Sequence, residues 1–454
     1  MLSFTVENAK IATGGTILKT VEHNFTNVVT DTRLVEKGSL FIALIGERFD
    51  GHSFVHQAIE KGAAGIIVSS DYTAEELAQF KVTIIKVTNT LTAYQRLAKL
   101  YRDSFAIPVI AITGSNGKTT TKDLTAAVLS SKFNVLKTKA NYNNEIGLPL
   151  TLFGLTEEHQ VAVVEMGMRG FGQIDELAKI ATPTIGIVTN VGETHMELLG
   201  SLENVAKAKG ELVDAMDAHG LVILNADNPY VCAMQAQAKG KVILFGFSEN
   251  ADVKASNVKT NGQETTFDCS FDGQKHSFVL PMVGRHNVYN ALAAIAVGFE
   301  LGLTIEEMQN GLVAFTASGM RLAISTVGEY TVINDAYNAS PMSMVAAIEA
   351  LKEVASKRCI AVLGDMLELG DIAVEAHAKI GIKLAEKKID AVVTIGEMAK
   401  YIASTAREHG VMQVAICDNH NQAGTILKNI LQAGDTILVK GSRGMQMEKV
   451  IELI

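Results

Sequence analysis

The sequence contains no long hydrophobic run. None of its apolar stretches approaches the roughly 18 residues that a membrane-spanning helix needs, so no membrane span is expected. Residues 1–10 have neither the basic segment nor the apolar core of a secretion signal. Both absences favour a cytoplasmic protein.

Cysteine and excess basic charge are also missing or scarce. The four cysteines, Cys232, Cys269, Cys359 and Cys417, lie far apart and show none of the spacings of a metal site. We expect them to be reduced and mostly buried thiols. The formal net charge of −9 argues against non-specific nucleic-acid binding, although a local basic pocket could still hold phosphates.

What the chain has is length and a globular composition. Its 454 residues, of which 48% are apolar and 20% charged, exceed one ordinary core, so about two to four domains are expected. Three blocks emerge, at residues 1–100, 101–314 and 315–454. The first holds short strands, turns and two helical patterns, and we refer below to the other two as the second and third blocks.

In the second and third blocks, apolar strands alternate with helical patterns, which predicts parallel βαβ units and an α/β fold class. Residues 250–281 break this rhythm in the second block, and their polar and β-branched alternation predicts a small antiparallel addition. The third block is predicted to be a doubly wound sheet of the Rossmann-like kind. It has no Gly-x-Gly-x-x-Gly in its first turn, so dinucleotide binding is not supported.

The most informative string is Gly114-Ser115-Asn116-Gly117-Lys118-Thr119-Thr120, which follows an apolar run at 109–113 and precedes a helical pattern. Such a loop turns backbone N–H groups and a helix N-terminus toward phosphates. Lys118 can reach the β- and γ-phosphates, and the Thr119 hydroxyl can hold Mg²⁺. Ile112 stands where the standard pattern has its first glycine, so the loop has a compact form. The alternative is a glycine-rich turn with a surface lysine.

Two further side chains follow predicted strands of the second block, at the sheet edge where α/β folds bind ligands. Glu165 ends the run 161–165 and can coordinate Mg²⁺, although it could also be a solvated glutamate. His195 follows the strand predicted at 184–189 and can ligate a second metal ion or contact a transferred phosphate. A lone histidine is more often structural, but this location favours the functional interpretation.

Other polar residues are ambiguous from the sequence alone. Lys207 and Lys209 have the spacing of an exposed charged helix face. Asn287 and Asn290 could cap a helix or read the edge of a base.

A polar cluster opens the third block. Arg321 could approach a γ-phosphate from there, or form a structural salt bridge with Asp335.

Taken together and in order, these strings resemble the Mur ligases, ATP-dependent amide-bond ligases of peptidoglycan precursor synthesis. The resemblance covers nearly the whole chain. It is carried by Thr113–Thr120, Glu165-Met-Gly167, Asn190–His195, Ala208-Lys209, Asn225-Ala-Asp227, Gly284-Arg-His-Asn287 with Asn290, and Asp335-Ala-Tyr-Asn338 with Pro341.

Four more strings are similar to the member that joins D-alanyl-D-alanine to UDP-N-acetylmuramoyl-tripeptide. They are Gly46–His52, Asn141–Pro149, Gly364–Gly370 and Lys440–Gly444. The resemblance implies three domains, namely a uridine-nucleotide domain, a central P-loop-type ATPase domain and a C-terminal Rossmann-like domain for the incoming dipeptide. It also implies an acyl-phosphate intermediate, small-molecule substrates only, and a monomer, because family members are commonly monomers.

The resemblance assigns roles residue by residue. Lys118 would hold the phosphates, Thr119 and Glu165 one Mg²⁺, and His195 a second. Lys209 matches a lysine that CO₂ carbamylates in the family, which reverses the surface-helix interpretation. Further roles implied are ATP contacts for Asn287, Arg321 and Asp335; uridine-substrate contacts for Thr30, Asp31, Thr32, Arg33, Arg48, Asp50, His52, Asn141, Asn143 and Asn144; and C-terminal dipeptide contacts for Tyr337, Asn338, Ser340, Ser442 and Arg443.

Two rival interpretations remain from the sequence. One is another Mur-type ligase, such as a folylpolyglutamate or cyanophycin synthetase. The other is a non-catalytic nucleotide-dependent binding module, which would need only the phosphate loop. The sequence leaves open whether the third residue of the tripeptide is lysine or diaminopimelate.

Overall fold

The computed structural model describes residues 4–46, 49–316 and 319–454. Its contacts divide the chain into two compact units. Unit 1 comprises Met1–Ala111, Asn134–Met166 and Asp175–Thr184, and unit 2 comprises Ile112–Phe133, Gly167–Ile174 and Ile185–Ile454.

The strands within the described residues are β1 (Phe4–Thr5), β2 (Thr16–Lys19), β3 (Asn24–Phe25), β4 (Val28–Val29), β5 (Leu40–Ile42), β6 (Gly65–Val68), β7 (Thr83–Lys86), β8 (Val109–Thr113), β9 (Val135–Lys137), β10 (Val161–Glu165), β11 (Ile185–Val188), β12 (Leu221–Asn225), β13 (Lys241–Gly246), β14 (Val253–Asn261), β15 (Glu264–Phe271), β16 (Gln274–Leu280), β17 (Ala323–Val327), β18 (Tyr330–Asp335), β19 (Cys359–Gly364), β20 (Ala391–Ile395), β21 (Gln413–Cys417) and β22 (Thr436–Lys440).

The α-helices of the same residues are α1 (Val6–Thr13), α2 (Val55–Glu60), α3 (Ala74–Gln79), α4 (Thr90–Asp103), α5 (Lys118–Leu129), α6 (Gly147–Leu152), α7 (Gln173–Ala181), α8 (Met196–Leu199), α9 (Leu202–Ala215), α10 (Pro229–Ala233), α11 (Arg285–Glu300), α12 (Ile305–Val313), α13 (Pro341–Val354), α14 (Ala373–Glu386), α15 (Ala399–Glu408) and α16 (His420–Ile430). No helix among them is both long and apolar enough to cross a membrane.

Unit 1 is built on a five-stranded sheet in the order β2-β7-β6-β5-β4. Its strands β4 to β7 pair in parallel, and β2 pairs antiparallel with β7. Phe41, Ile66 and Ile84 form part of its core. The strand predicted at 38–46 is much shorter in the structure, where the paired segment of this region is Leu40–Ile42.

The first part of unit 2 contains the parallel strands β11, β12 and β13. β13 continues in parallel with β14, after which β14, β15 and β16 form antiparallel hairpins. Side chains alternate between buried and exposed along β15, as expected of a sheet with one covered face. This confirms the antiparallel addition that the composition of residues 250–281 predicted.

The last part of unit 2 is a six-stranded sheet in the order β17-β18-β22-β19-β20-β21. All its pairs are parallel except the edge pair β17–β18. Apolar clusters cover both faces, with Ile348 and Leu384 on one and Val450 and Leu427 on the other. The predicted doubly wound sheet is thus confirmed, whereas the antiparallel edge strand β17 was not predicted.

Candidate functional site

The predicted phosphate loop connects β8 to α5. Gly114 has φ 146° and Gly117 has φ 79°, values that residues with a side chain rarely adopt. A Cβ at Gly114 would collide with Thr189 Oγ1, and one at Gly117 would lie 2.5 Å from Asn290 Oδ1. Both glycines are therefore required by conformation and by space.

The loop is fixed by the segment that follows β11. Ser115 N–H donates to the Asn190 carbonyl (2.8 Å), and Asn116 N–H donates to Asn190 Oδ1 (2.9 Å). Gly192 N–H donates to Ser115 Oγ (3.0 Å), and the Thr194 hydroxyl donates to the same oxygen (3.0 Å). The loop is thus pre-formed, and its remaining N–H groups need little reorganisation to receive an anion.

Lys118 and Thr119 occupy the first turn of α5. Lys118 Nζ donates to the carbonyls of Gly114 (2.7 Å) and Ser115 (3.2 Å), so its ammonium already lies over the loop. Thr119 is buried next to it. A cation, a hydroxyl and a helix N-terminus at one place fit a nucleotide's phosphates.

The structure separates Lys209 from Lys207. Lys209 is 2% exposed, and burial, together with the nearby charge of Lys118, holds the pKa of its amine well below the usual value. Lys207 is exposed, with its Nζ 5.7 Å from the centre of the Phe171 ring. The exposed-face interpretation is therefore wrong for Lys209 and right for Lys207.

His195 pairs with a residue of the third block. Its Nδ1 lies 2.6 Å from Glu368 Oε2, and this hydrogen bond is the main cause that lowers the pKa of the Glu368 carboxyl. Sequence reasoning quoted Gly364–Gly370 as a family string but did not assign Glu368. The only signal for it was a carboxylate inside that string.

Glu165 lies in unit 1, at the end of β10. It is 2% exposed, its Oε1 accepts from Asn143 Nδ2 (2.7 Å), and its N–H donates to Thr138 Oγ1 (3.0 Å). The alternative of a solvated glutamate is therefore wrong. Asn144 Oδ1 accepts from Gly147 N–H (2.9 Å), which leaves it with a structural contact.

Glu165 and Thr119, both predicted to bind magnesium, offer oxygen donors. Among the described residues no three His, Cys, Asp or Glu side chains cluster as a ready-made metal site. Mg²⁺ does not need one, because it commonly binds one or two carboxylates together with substrate phosphates and water. Taken separately, Glu165 offers a buried carboxylate and Thr119 a hydroxyl, and each is an oxygen donor of the kind that magnesium prefers.

The two asparagines of α11 form a buried chain with α5. The Thr121 hydroxyl donates to Asn290 Oδ1 (3.1 Å), Asn290 Nδ2 donates to Asn287 Oδ1 (3.1 Å), and Asn287 Nδ2 donates to the Val283 carbonyl (2.8 Å). Neither is the N-cap of α11, which is Gly284. A base contact by Asn287 stays a prediction.

Asp335 pairs with Lys440 and not with Arg321. Lys440 Nζ is buried and donates to Asp335 Oδ2 (2.5 Å) and to the Asn338 carbonyl (2.8 Å). The Arg321 guanidinium lies 3.9 Å from the centre of the Tyr337 ring. The alternative of a structural Arg321–Asp335 salt bridge is therefore wrong, and Lys440 is a polar partner to which the sequence alone assigned no role.

Three more residues predicted in the third block have defined contacts. Ser340 is the N-cap of α13, and its hydroxyl donates to Asn116 Oδ1 in the phosphate loop (2.9 Å). Ser442 is buried, and its Oγ accepts from Leu367 N–H (2.9 Å). Arg443 pairs with Glu448 (2.8 Å).

The predicted uridine-substrate residues of unit 1 form two local groups. In one, Arg33 pairs with Asp31 (2.6 Å) and the Thr32 hydroxyl donates to Gln57 Oε1 (2.8 Å), with Thr30 preceding them after β4.

In the other group, His52 Nδ1 lies 2.6 Å from Asp50 Oδ1, and His52 Nε2 accepts from Ser69 N–H (2.9 Å). Asn141 is exposed. Arg48 lies outside the described residues.

Comparison with known proteins identifies the class. The family patterns described as "Mur ligase family, catalytic domain", "Mur ligase middle domain" and "Mur ligase, glutamate ligase domain" match residues 24–102, 112–298 and 320–443. The chain belongs to the Mur ligase family, as the ordered motifs predicted.

Its relatives are more specific. The chain is 40% identical to the UDP-N-acetylmuramoyl-tripeptide–D-alanyl-D-alanine ligase of Bacillus subtilis, covering 100% of this chain and 98% of that protein. It is 37% identical to the ligase of the same name from Escherichia coli, covering 94% and 93%. Among solved structures, MurF from Acinetobacter baumannii is similar with a TM-score of 0.92 and 32% identity, covering 100% of this chain and 98% of that one. MurF ligase from Thermotoga maritima, solved in complex with ADP, has a TM-score of 0.85 and 27% identity, covering 94% and 96%.

Proposed function

We propose that this protein joins D-alanyl-D-alanine to UDP-N-acetylmuramoyl-tripeptide and converts ATP to ADP and phosphate. The full-length relatives carry that name, and the Thermotoga maritima structure holds ADP. The observation that carries the proposal is Lys209, a lysine buried beside the phosphate-loop Lys118. A protein that only binds nucleotide has no need of such a costly residue.

The reaction would proceed in two steps. An oxygen of the tripeptide's terminal carboxylate bonds to the γ-phosphorus of ATP while the bond to the ADP oxygen breaks. The dipeptide's amine then attacks the acyl carbon, loses a proton, and phosphate leaves. Activation is needed because phosphate leaves readily and a bare carboxylate oxygen does not.

The protein would act mainly by positioning and by neutralising charge. The loop N–H groups and Lys118 would hold the phosphates. Thr119, Glu165, His195 and the carbamate of Lys209 are the groups we propose as ligands or supports for two magnesium ions. When bound, magnesium would screen the phosphate charge and orient the γ-phosphoryl group.

We propose that Lys209 is carbamylated, and its surroundings support this. A lowered pKa leaves more of the amine unprotonated, and that lone pair attacks CO₂ with loss of a proton to water. The product is an anion near the ammonium of Lys118, so the charge of Lys118 that disfavours a protonated Lys209 would favour the carbamate.

The remaining roles are proposals that rest on the family resemblance. In the third block they are nucleotide contacts for Arg321 and Asp335 and dipeptide contacts near Tyr337. In unit 1 they are uridine-diphosphate contacts for the groups around Asp31 and His52. We also propose that the protein acts as a monomer.

The test is a ligation assay that measures both phosphate release and amide product. It combines tripeptide precursors ending in lysine or diaminopimelate with D-alanyl-D-alanine, other dipeptides, or glutamate. The proposal expects product with D-alanyl-D-alanine, and none from Lys118→Ala. Product with glutamate alone would favour a folylpolyglutamate-type ligase, and no product with any acceptor would favour a binding module.

A further inference from the structure

A short segment of the third block docks directly on the segment that carries His195. Besides the 2.6 Å contact between His195 Nδ1 and Glu368 Oε2, Glu197 N–H donates to the Glu368 carbonyl (3.3 Å). A Cβ at Gly370 would lie only 3.1 Å from Glu197 Cα. All these residues belong to unit 2. Backbone and side chain of Glu368 therefore both engage the start of α8.

Hydrogen bonds to the two residues that precede Glu368 fix its backbone. Leu367 N–H donates to the buried Ser442 Oγ (2.9 Å), and Met366 N–H donates to Nε2 of the buried His377 (2.9 Å). His377 is fixed in turn, because its Nδ1 lies 2.6 Å from the Ala373 carbonyl. The carboxylate is thus presented by a scaffold with little freedom to move.

Both partners have an unusual backbone. His195 has φ 55° and Glu368 has φ 62°, the left-handed region that few residues other than glycine adopt. Such conformations persist only where the surrounding structure enforces them, and they cluster at functional sites. His195 and Glu368 both have this conformation and share a hydrogen bond, which indicates that the surrounding structure enforces their contact.

We propose that Glu368 is a positioning residue for His195. By accepting the Nδ1 proton it fixes the tautomer in which Nε2 keeps its lone pair, and it fixes the plane of the ring. A carboxylate behind a metal-binding histidine commonly has this effect. Because Glu368 belongs to the third block, His195 is oriented only while that block is docked. The inference rests on the proposed role of His195 toward magnesium.

The experiment compares full-length wild type with Glu368→Ala, Glu368→Gln and the control Glu397→Ala. Glu397 is an exposed glutamate of the third block that pairs with Lys400, three positions away. Nitrogen-15 NMR of labelled histidines, assigned with His195→Gln, reports the tautomer of His195. Titration of Mn²⁺ in the presence of a non-hydrolysable ATP analogue reports the metal affinity.

We expect Glu368→Ala to lose the Nδ1–H tautomer and to weaken Mn²⁺ binding by about 10- to 100-fold. Glu368→Gln keeps an acceptor oxygen, so it should retain the tautomer and lose less affinity. Glu397→Ala should match wild type. The kinetic counterpart is a fall in kcat for Glu368→Ala with little change in KM for the dipeptide.

The proposal is overturned if Glu368→Ala is less stable but keeps the wild-type tautomer and Mn²⁺ affinity, since Glu368 would then be merely structural. Failure of the proposed function looks different. In that case wild type itself forms no amide product, whereas the tautomer measurement still decides whether Glu368 orients His195.

Discussion

Replacing Gly117 by alanine tests whether the geometry of the predicted phosphate loop requires a glycine at this position. An L-residue at φ 79° costs about 1–2 kcal/mol of folding free energy. The new Cβ would also lie 2.5 Å from Asn290 Oδ1, which must move and release the Thr121 hydroxyl. A lost hydrogen bond adds about 1 kcal/mol. We therefore expect Gly117→Ala to lose about 2–3 kcal/mol in the free energy of unfolding.

The matched control is Gly302→Ala. Gly302 has φ 71°, close to that of Gly117, but a Cβ there meets no atom within 4 Å. It should show only the conformational cost of about 1–2 kcal/mol. The difference between the two variants in urea unfolding isolates the contact with Asn290.

Activity should separate the two variants further. A displacement of about 1 Å in a group that positions a reacting phosphate, the role proposed for this loop, can cost about 100-fold in rate. Phosphate release should therefore fall by about that factor in Gly117→Ala and stay at the wild-type level in Gly302→Ala. Equal stability and equal activity of both variants would refute the argument from loop geometry.

Three further features can be tested, namely the proposed carbamate of Lys209, the imidazole of His286 and the pair of Lys440 with Asp335. Removing dissolved CO₂ should lower the activity of wild type, and added bicarbonate should restore it. Lys209→Met should be inactive while Lys207→Ala stays active, because the amine of Lys209 is buried and its pKa is lowered, whereas Lys207 is exposed. Burial lowers the pKa of His286 from 6.5 to about 4, so the unfolded chain binds more protons in that window. The contribution of His286 to stability should then fall by about 3 kcal/mol from pH 6.5 to pH 4, and urea unfolding of His286→Gln should lack this part of the pH dependence. Lys440→Met should cost about 3–5 kcal/mol, since it strands the carboxylate of Asp335.

Each of these has a contradicting result. Carbamylation of Lys209 is contradicted if intact-protein mass spectrometry under CO₂ finds no added carboxyl group on the wild type, or finds the same addition on Lys209→Met. His286 is not the titrating group if wild type and His286→Gln lose stability in parallel on acidification. The unpaired carboxylate of Asp335 is not the cause of the lost stability if the double variant of Lys440→Met with Asp335→Asn is no more stable than Lys440→Met alone.

Local patterns were enough to predict the phosphate loop and most parallel strands. The loop was readable because one contiguous string determines strand, glycine turn and helix start. The short edge strand β17 was missed, because its residues are only partly buried and the hydrophobic signal is weak.

The polar pairs could not be predicted, because they join distant parts of the chain. Glu368 reaches His195 across 173 positions, and Lys440 reaches Asp335 across 105. Spacing predicts neither. It also could not tell Lys209 from Lys207, since burial of a helix face depends on what packs against it.

The hydroxyl of Ser340 makes two contacts, and together they restrict which amino acids can replace serine at this position. Its oxygen caps α13 by accepting from Ser343 N–H (3.4 Å), while its single proton goes to Asn116 Oδ1 (2.9 Å). Asparagine and aspartate are good caps but offer no hydroxyl proton, and alanine offers neither function. Among the other preferred N-cap residues only threonine supplies both from a single hydroxyl oxygen, so sequences that keep this contact in its present form should carry serine or threonine at this position.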